Sequence, residues 1–298
     1  MQFSIIIPHH NIPNLLERLL NSIPNRTDLE TIVIDDCSDN KYQEALRNIM
    51  TKFCNVKFIL LPECKGGGHA RNIGLSKAIG NYIIFADSDD FFLPSFDNIL
   101  NSYSNVPENY DIIFFNAISL DVESFHLTSR HKFLDSLFDL YSKEPNKAKS
   151  YLKFLFGEPW CKIVNRNIIS ENNIRFDEIP INNDTSFSYQ IGFYSNSISV
   201  DNRVGYVVTD RVNSVSKSLT EEKIIVRANI FAKKNRFLKD NRINIFDSQM
   251  IAIVLSQIRH KNWRLTKKIM SIYKAYGFAP SEIWLKVFRN LLDRRTIK

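Results

Sequence analysis

The 298-residue chain is 44% apolar, 24% charged and 12% aromatic, with 22 Phe, enough to bury a full-sized core and too much for a disordered chain. Its 4 cysteines, Cys37, Cys54, Cys64 and Cys161, form no CxxC pair and no zinc spacing, which argues against a disulfide-framed scaffold and fits a reducing, cytoplasmic compartment. The net charge of +7 is uneven: residues 221–298 hold 18 Lys/Arg against 6 Asp/Glu, a net +12, and residues 1–220 carry the remaining −5.

Met1 leads directly into "FSIIIP" (3–8), with no basic segment and apolar run ahead of it, so no signal peptide is expected. No apolar run approaches the roughly 20 residues that cross a bilayer. Short apolar runs at 3–8, 30–36, 56–61, 82–87 and 111–116 read as buried strands, and segments 12–22, 41–53 and 69–79 carry apolar residues at helical spacing. This alternation predicts an α/β fold with a mainly parallel sheet flanked by helices. In such sheets ligands bind beyond the carboxyl ends of the strands. The polar stretches "PHHN" (8–11), "DDCSDN" (35–40) and "DSDD" (87–90) therefore belong at one edge. Residues 125–156 read as amphipathic helix, "GEPWCKIVNRNII" (157–169) and the polar loop "IPINNDTSF" (179–187) follow, and "VGYVVT" (204–209) is a further strand. Helices are predicted at 220–239, 246–260, 262–276 and 281–293.

The run "YIIFADSDD" ends a buried strand in three carboxylates out of four positions, and their repulsion calls for a positive partner. Asp87 and Asp89 share a direction by the period of two, and paired hard oxygens suit Mg²⁺ or Mn²⁺, with a diphosphate completing the ligand set. The alternative is that Ser88, Asp89 and Asp90 cap a helix starting near Leu93. Asp35 and Asp36 end another strand, where a carboxylate can accept from a pyrimidine imide or ribose hydroxyls or can simply form a turn. "KGGGHARN" (65–72) places three glycines before a helix whose N-terminus can face an anion, with Arg71 in its first turn. His10 and His69 flank these segments and read as local hydrogen bonders.

The succession "SIIIPHHN", "ETIVIDDCSDN", "KGGGHARNIGLSKAIGNYIIFADSDD", "WCK" and "ND" resembles the family 2 glycosyltransferases of the GT-A fold, of the bacterial surface-polysaccharide type, over roughly residues 1–218. The resemblance implies a catalytic domain at 1–218, its nucleotide-sugar half at about 1–116 and its acceptor half at about 117–218, followed by a basic helical region at 219–298. It implies that Pro8, Asn11 and Asp36 lie against the nucleoside, that Arg71 contacts base or diphosphate, and that Asp87, Ser88 and Asp89 form the D-x-D signature, the last binding Mn²⁺ or Mg²⁺. Asp184 then matches the general base, and Asn183, Trp160 and Lys162 are implied to bind the acceptor, the last two as the W-x-K residues bordering acceptor and donor sugar. "YVVTDRVNSVS" (206–216) is similar to the segment that covers the diphosphate, with Arg211 as its cation. Four departures stand out: Asn183 for glutamate, Cys37 for glycine, His10 for an aromatic, and Thr209 where arginine is frequent.

The implied function is an inverting, metal-dependent hexosyl or N-acetylhexosaminyl transfer from a UDP-sugar to a hydroxyl of a glycan or lipid-linked glycan, in capsule or lipopolysaccharide synthesis. Two other readings stay open: a catalytically silent binding protein of the same fold, and a phosphohydrolase using D-x-D. Nucleic acid is not an expected partner, because the aromatics of the basic region sit at core spacing. "SEIWLKVFRNLLDRR" (281–295) sets Ile283, Trp284, Val287 and Phe288 at helical spacing among basic residues, which suits either a packed apolar face or an anionic membrane. The expected location is thus cytoplasmic, free or peripheral on the inner face of the plasma membrane.

Overall fold

The computed structural model describes residues 1–104, 110–211 and 220–293. The chain divides into two compact units, Met1–Ser214 and Val215–Lys298.

In the first unit, chain order runs β1 (Phe3–His9), α1 (Pro13–Ser22), β2 (Leu29–Asp35), α2 (Gln43–Lys52), β3 (Lys57–Leu60), α3 (Gly67–Lys77), β4 (Tyr82–Phe85), β5 (Phe91–Phe92), α4 (Ser95–Ser104), β6 (Ile112–Asp121), α5 (Lys132–Lys143), α6 (Pro145–Phe154), β7 (Lys162–Asn165), α7 (Arg166–Glu171), α8 (Thr185–Tyr194) and β8 (Ile198–Asp210). The strands form one sheet in the order β3-β2-β1-β4-β7-β6-β8-β5. β3, β2, β1 and β4 are mutually parallel, β7 runs antiparallel between β4 and β6, and β8 is parallel to β6 and antiparallel to β5. Phe3, Ile5, Ile6 and Ile7 of β1 are all fully buried, the continuous apolar run that a strand covered on both faces requires. The register sets His9 beside Asp35 and Ile6 beside Phe85, so β1 and β2 end together and β4 stops beside Ile6, its following turn running along the same edge.

Three local expectations need correction. The helix expected over 125–156 is two, α5 and α6, because Pro145 supplies no N–H and holds Glu144 at φ −134°, ψ 73°, outside the helical region. The strand expected at 111–116 runs on to Asp121, paired with β8 across a register shift. The capping alternative for "DSDD" also fails: Phe91 and Phe92 pair with Val207 and Tyr206, so the next helix starts only at Ser95.

The second unit contains α9 (Glu221–Asp240), α10 (Gln249–Arg259), α11 (Trp263–Ala275) and α12 (Pro280–Asp293). Its core includes Phe231, Met250, Val254, Leu265, Ile269, Tyr273 and Ile283. A buried ion pair, Lys234 Nζ to Asp247 at 2.6 Å, is framed by Asn235, whose Oδ1 accepts the Asp247 N–H at 2.7 Å. Residues 294–298, with the expected Arg294 and Arg295, lie outside the described residues.

Candidate active site

The turn after β4 is held from several directions. The Asp90 N–H closes on the Asp87 carbonyl at 2.9 Å. Asp90 itself points inward, 1% exposed, and accepts the Thr209 N–H from β8 at 2.7 Å. Burial, with Asp89 and Asp87 adding repulsion, pushes its carboxyl well up. Tyr206, also on β8, accepts the Asp87 N–H at 2.9 Å and is stacked on Trp160, with ring centroids 6.0 Å apart. The Asp89 carbonyl accepts from Thr209 Oγ1 at 2.5 Å and from Arg18 on α1.

These contacts free Asp87 and Asp89 to face cations. Arg71 donates from Nη2 to Asp87 at 2.6 Å, and Arg211 donates from Nε to Asp89 at 2.8 Å. Burial and the charge of Asp87 still raise the Asp89 carboxyl, against the pull of Arg211 and Arg130. The positive partner demanded by the three carboxylates is therefore a set of arginines from four segments: Arg18, Arg71, Arg130 and Arg211. Residues 212–216 of the segment expected to cover the diphosphate lie outside the described residues.

The first two loops are tied together before any ligand is considered. Asn11, at φ 61°, donates its N–H to Ser38 Oγ at 2.8 Å, and its Oδ1 accepts the Asp39 N–H at 2.8 Å. Pro8 lies one residue before the end of β1. Asp35 is structural: its carboxylate takes His9 Nδ1 at 2.7 Å and Ser38 Oγ at 2.5 Å. Burial pushes Asp35 up, but these bonds overcome it and hold the carboxyl below its ordinary value. Asp36 instead clasps the glycine-rich loop, accepting the Lys65 N–H at 2.9 Å and the Gly66 N–H at 2.7 Å. Gly66 has φ 89°, which favours a residue without a β-carbon.

Arg71 joins the carboxylate turn after β4 to the loop before α8. Its Nη1 donates to Asn183 Oδ1 at 3.1 Å, its ring-side neighbour is Phe176 at 5.5 Å, and its Nε, buried, has no hydrogen-bond partner in the protein. Asn72 pins the same loop, accepting the Phe176 N–H at 2.9 Å and donating to the Phe176 carbonyl at 3.0 Å. Asp184 precedes α8 and makes no side-chain capping bond. Part of it remains accessible, yet protein crowds its carboxyl: burial pushes it up to about 6, Arg71 pulls it down, and Glu158 and Asp87 add repulsion. The structure thus gathers Arg71, Asp87, Asn183 and Asp184 into one electrostatic cluster, and Asp89 with Arg211 adjoins it.

Trp160 and Lys162 depart from the expectation of direct acceptor contact. They are 2% and 1% exposed. Lys162 Nζ donates to the Phe156 carbonyl at 2.9 Å, to Ser188 Oγ at 3.1 Å and to the Glu158 carbonyl. Both side chains hold the wall beneath the site, and packing keeps a sugar from reaching them. Sequence reasoning missed Glu158, Tyr206 and the two cations Arg18 and Arg130. Arg130 donates to the Thr209 carbonyl at 3.0 Å, so the segment between β6 and α5 brings a cation to the end of β8 that no local pattern shows.

Among the described residues, no group of three or more His, Cys, Asp or Glu gathers as a metal cage. Asp87 and Asp89 offer hard oxygens and mutual repulsion that a divalent cation relieves, with further ligands drawn from phosphates and water, the usual arrangement for Mg²⁺ or Mn²⁺. The donor set fits such an ion at those two residues.

A mainly parallel sheet with a D-x-D turn beyond β4 and an opposing carboxylate ahead of α8 defines a GT-A glycosyltransferase. The family model described as glycosyl transferase family 2 matches residues 4–172, more than half of the chain, and the chain belongs to that family. It is similar to a cholesterol galactosyltransferase of Borreliella burgdorferi, 27% identical over 92% of this chain and 79% of that protein. It is 35% identical over 30% of its length to TarS of Staphylococcus aureus, a poly(ribitol-phosphate) β-N-acetylglucosaminyltransferase, of which the match takes in 17%. In fold it matches a crystal structure of TarS 1–349 with UDP-GlcNAc, with a TM-score of 0.66 at 21% identity over 95% of this chain and 83% of that one. A mannosyltransferase of Pyrobaculum calidifontis with GDP-Man and Mn²⁺ matches with a TM-score of 0.56 at 17% identity, over 97% of this chain and 80% of that one. No described helix is long and apolar enough to cross a membrane.

Proposed function

We propose that this glycosyltransferase inverts the anomeric centre of a UDP-linked hexose or N-acetylhexosamine while passing it to a hydroxyl of a bacterial surface glycan or a lipid-linked precursor. The observation that carries the reading is the Arg71 bridge, with Asp87 at 2.6 Å on one side and Asn183, next to Asp184, at 3.1 Å on the other. It brings a phosphate-binding cation and a candidate base to the same centre. Relatives named for galactosyl and N-acetylglucosaminyl transfer, and a neighbour holding UDP-GlcNAc, support the donor class.

In this mechanism Asp36 and the loop at Pro8 and Asn11 bind the nucleoside, while Arg71 and Arg211 meet the diphosphate. Asp184 takes the proton of the acceptor hydroxyl as that oxygen attacks the anomeric carbon from the face opposite the diphosphate. Arg71 and Arg211 stabilise the charge gathering on the departing group. When Mn²⁺ or Mg²⁺ is bound, Asp89 and Asp87 would hold it, and it would add to that neutralisation. Asn183 positions Arg71, and Ser88 lies within the turn that presents both carboxylates. The basic second unit serves as the contact with an anionic membrane surface, where lipid-linked acceptors reside.

The test is calorimetry of the purified protein with a panel of nucleotide sugars, in Mn²⁺ and again in EDTA. A metal-dependent signal for a UDP-sugar supports the reading. Release of phosphate from simple phosphomonoesters, with no nucleotide-sugar binding, would replace it with the hydrolase reading.

A further inference from the structure

Cys37 and Cys64 come from different loops and meet at the rim of the donor site. Cys37 directly follows Asp36, and Cys64 directly precedes Lys65, the first of the two residues whose N–H groups Asp36 clasps. Cys64 Sγ donates to the Cys37 carbonyl at 3.1 Å, which sets the Cys64 sulfur against the Cys37 backbone. Cys64 is exposed and Cys37 partly so, whereas Cys161 is buried and Cys54, also exposed, lies in the turn after α2. Cys37 also holds φ at 56°, a left-handed conformation that penalises any residue with a β-carbon, in the place where the family pattern carries glycine. A thiol is thus kept at a backbone position that disfavours it, with a second thiol bonded to its own carbonyl.

We propose that Cys37 and Cys64 form a thiol–disulfide exchange site that closes reversibly and withdraws Asp36 from the nucleotide donor. The effect on the donor rests on the reading of Asp36 given above. The co-reactant is a low-molecular-weight disulfide, RSSR. The Cys37 thiolate attacks one of its sulfurs, breaking the S–S bond and expelling one thiol. Cys64 then attacks the mixed disulfide and expels the second. Two protein thiols are oxidised, RSSR is reduced to two RSH, and the two protons lost from the protein end on those products. The neighbouring Cys37, with the Asp36 and Asp39 carboxylates adding to it, pushes Cys64 up to about 11, so Cys64 attacks through a small thiolate fraction and its resolving step is the slow one. Once closed, the link braces the Asp36 clasp from both flanks. The Lys65 and Gly66 N–H groups then stay on the two carboxylate oxygens, and a pyrimidine imide loses its acceptor.

The full chain is equilibrated with oxidised and reduced glutathione over a range of ratios, alkylated, and digested for mass spectrometry, while parallel samples are titrated with UDP by calorimetry. The expected result is a bridged Cys37–Cys64 peptide, lighter by two hydrogens and restored by dithiothreitol, with UDP affinity in the oxidised form lower by about tenfold or more. Cys37→Gly and Cys64→Ser should each bind UDP equally under both conditions, and Cys54→Ser should keep the response. Absence of the bridged peptide at every ratio, with UDP bound normally, overturns the inference alone. A bridge that leaves UDP affinity unchanged also overturns it. If the reduced protein binds no nucleotide, the donor reading fails and takes the link to Asp36 with it, whether or not the bridge forms.

Discussion

Asp184 is where a single residue's environment makes the sharpest statement. Burial raises its carboxyl to about 6 from an ordinary 3.8, so in the unligated protein the carboxylate proposed as base is charged at neutral pH and half protonated near pH 6. Transfer should therefore fall about tenfold for each pH unit below about 6, measured as initial rate against pH at saturating donor. The stability consequence has the opposite sense: between about pH 4 and 6 the folded chain keeps a proton that the unfolded chain has released, so Asp184 favours the fold at acid pH and that contribution is lost as pH rises through about 6. Asp35, held below its ordinary value by His9 and Ser38, works the other way and supports the fold above the unfolded carboxylate range. Asp184→Asn removes the base and the charge while keeping the shape. Its transfer rate should drop by roughly 10²–10⁴, its affinity for UDP should stay near that of the parent, and its melting temperature at pH 7.5 should not fall. A variant transferring at the parental rate would remove Asp184 from the mechanism. Asp87, Asp89, Arg71 and Asp184 were legible in the sequence because each sits in a short motif at a strand end or helix start. Arg18, Arg130 and Glu158 were not, because they reach the site only through packing between segments tens of residues apart. Trp160 and Lys162 were legible as a motif, but no local pattern shows that Tyr206 and Phe156 bury them.

At the scale of elements, the first half of the sheet could be read from the chain because parallel strands covered on both faces need continuous apolar runs, and β1, β2 and β4 have them. β5 and β7 could not: they are two and four residues long and gain their identity from partners on β8, β4 and β6. α3 shows how tightly the elements constrain the site. A β-carbon on Gly68 would stand 2.2 Å from the Asp177 carbonyl oxygen and 3.1 Å from Asn183 Cβ, both in or beside the loop that carries Asp184. Backbone, not a flexible side-chain end, blocks it. Gly68→Ala should cost about 1–3 kcal/mol in urea unfolding and, by pushing the 177–184 loop outward, separate Asn183 from Arg71. The diagnostic is a rate loss larger than the loss of UDP affinity. Unchanged stability and rate would mean that the loop yields freely and does not position the base.

On the scale of the whole molecule, the net +12 of residues 221–298 stands against −5 in the rest, and the second unit also carries an apolar surface. Trp263 and Phe288 are 56% and 59% exposed, Phe288 lies 6.1 Å from Trp284 ring to ring, and Trp263, Met270, Pro280, Trp284 and Lys267 line a cavity of about 290 Å³. Aromatic rings beside cations on one surface match the boundary of an anionic bilayer, where each Lys or Arg close to the surface contributes about 1 kcal/mol. Co-sedimentation should therefore occur with vesicles containing phosphatidylserine and not with pure phosphatidylcholine, and it should weaken between about 0.1 and 0.5 M salt as the Debye length shrinks. Tryptophan emission gives a second reading of the same event. The chain has 3 Trp, and Trp160 is 2% exposed in the sheet core, so a blue shift on adding vesicles reports Trp263 and Trp284. Trp263→Ala should reduce both the shift and the bound fraction several-fold without changing UDP affinity. Equal binding to neutral vesicles would show that charge plays no part, and no binding to either would leave the basic helices without a membrane role and return the acceptor to a soluble glycan.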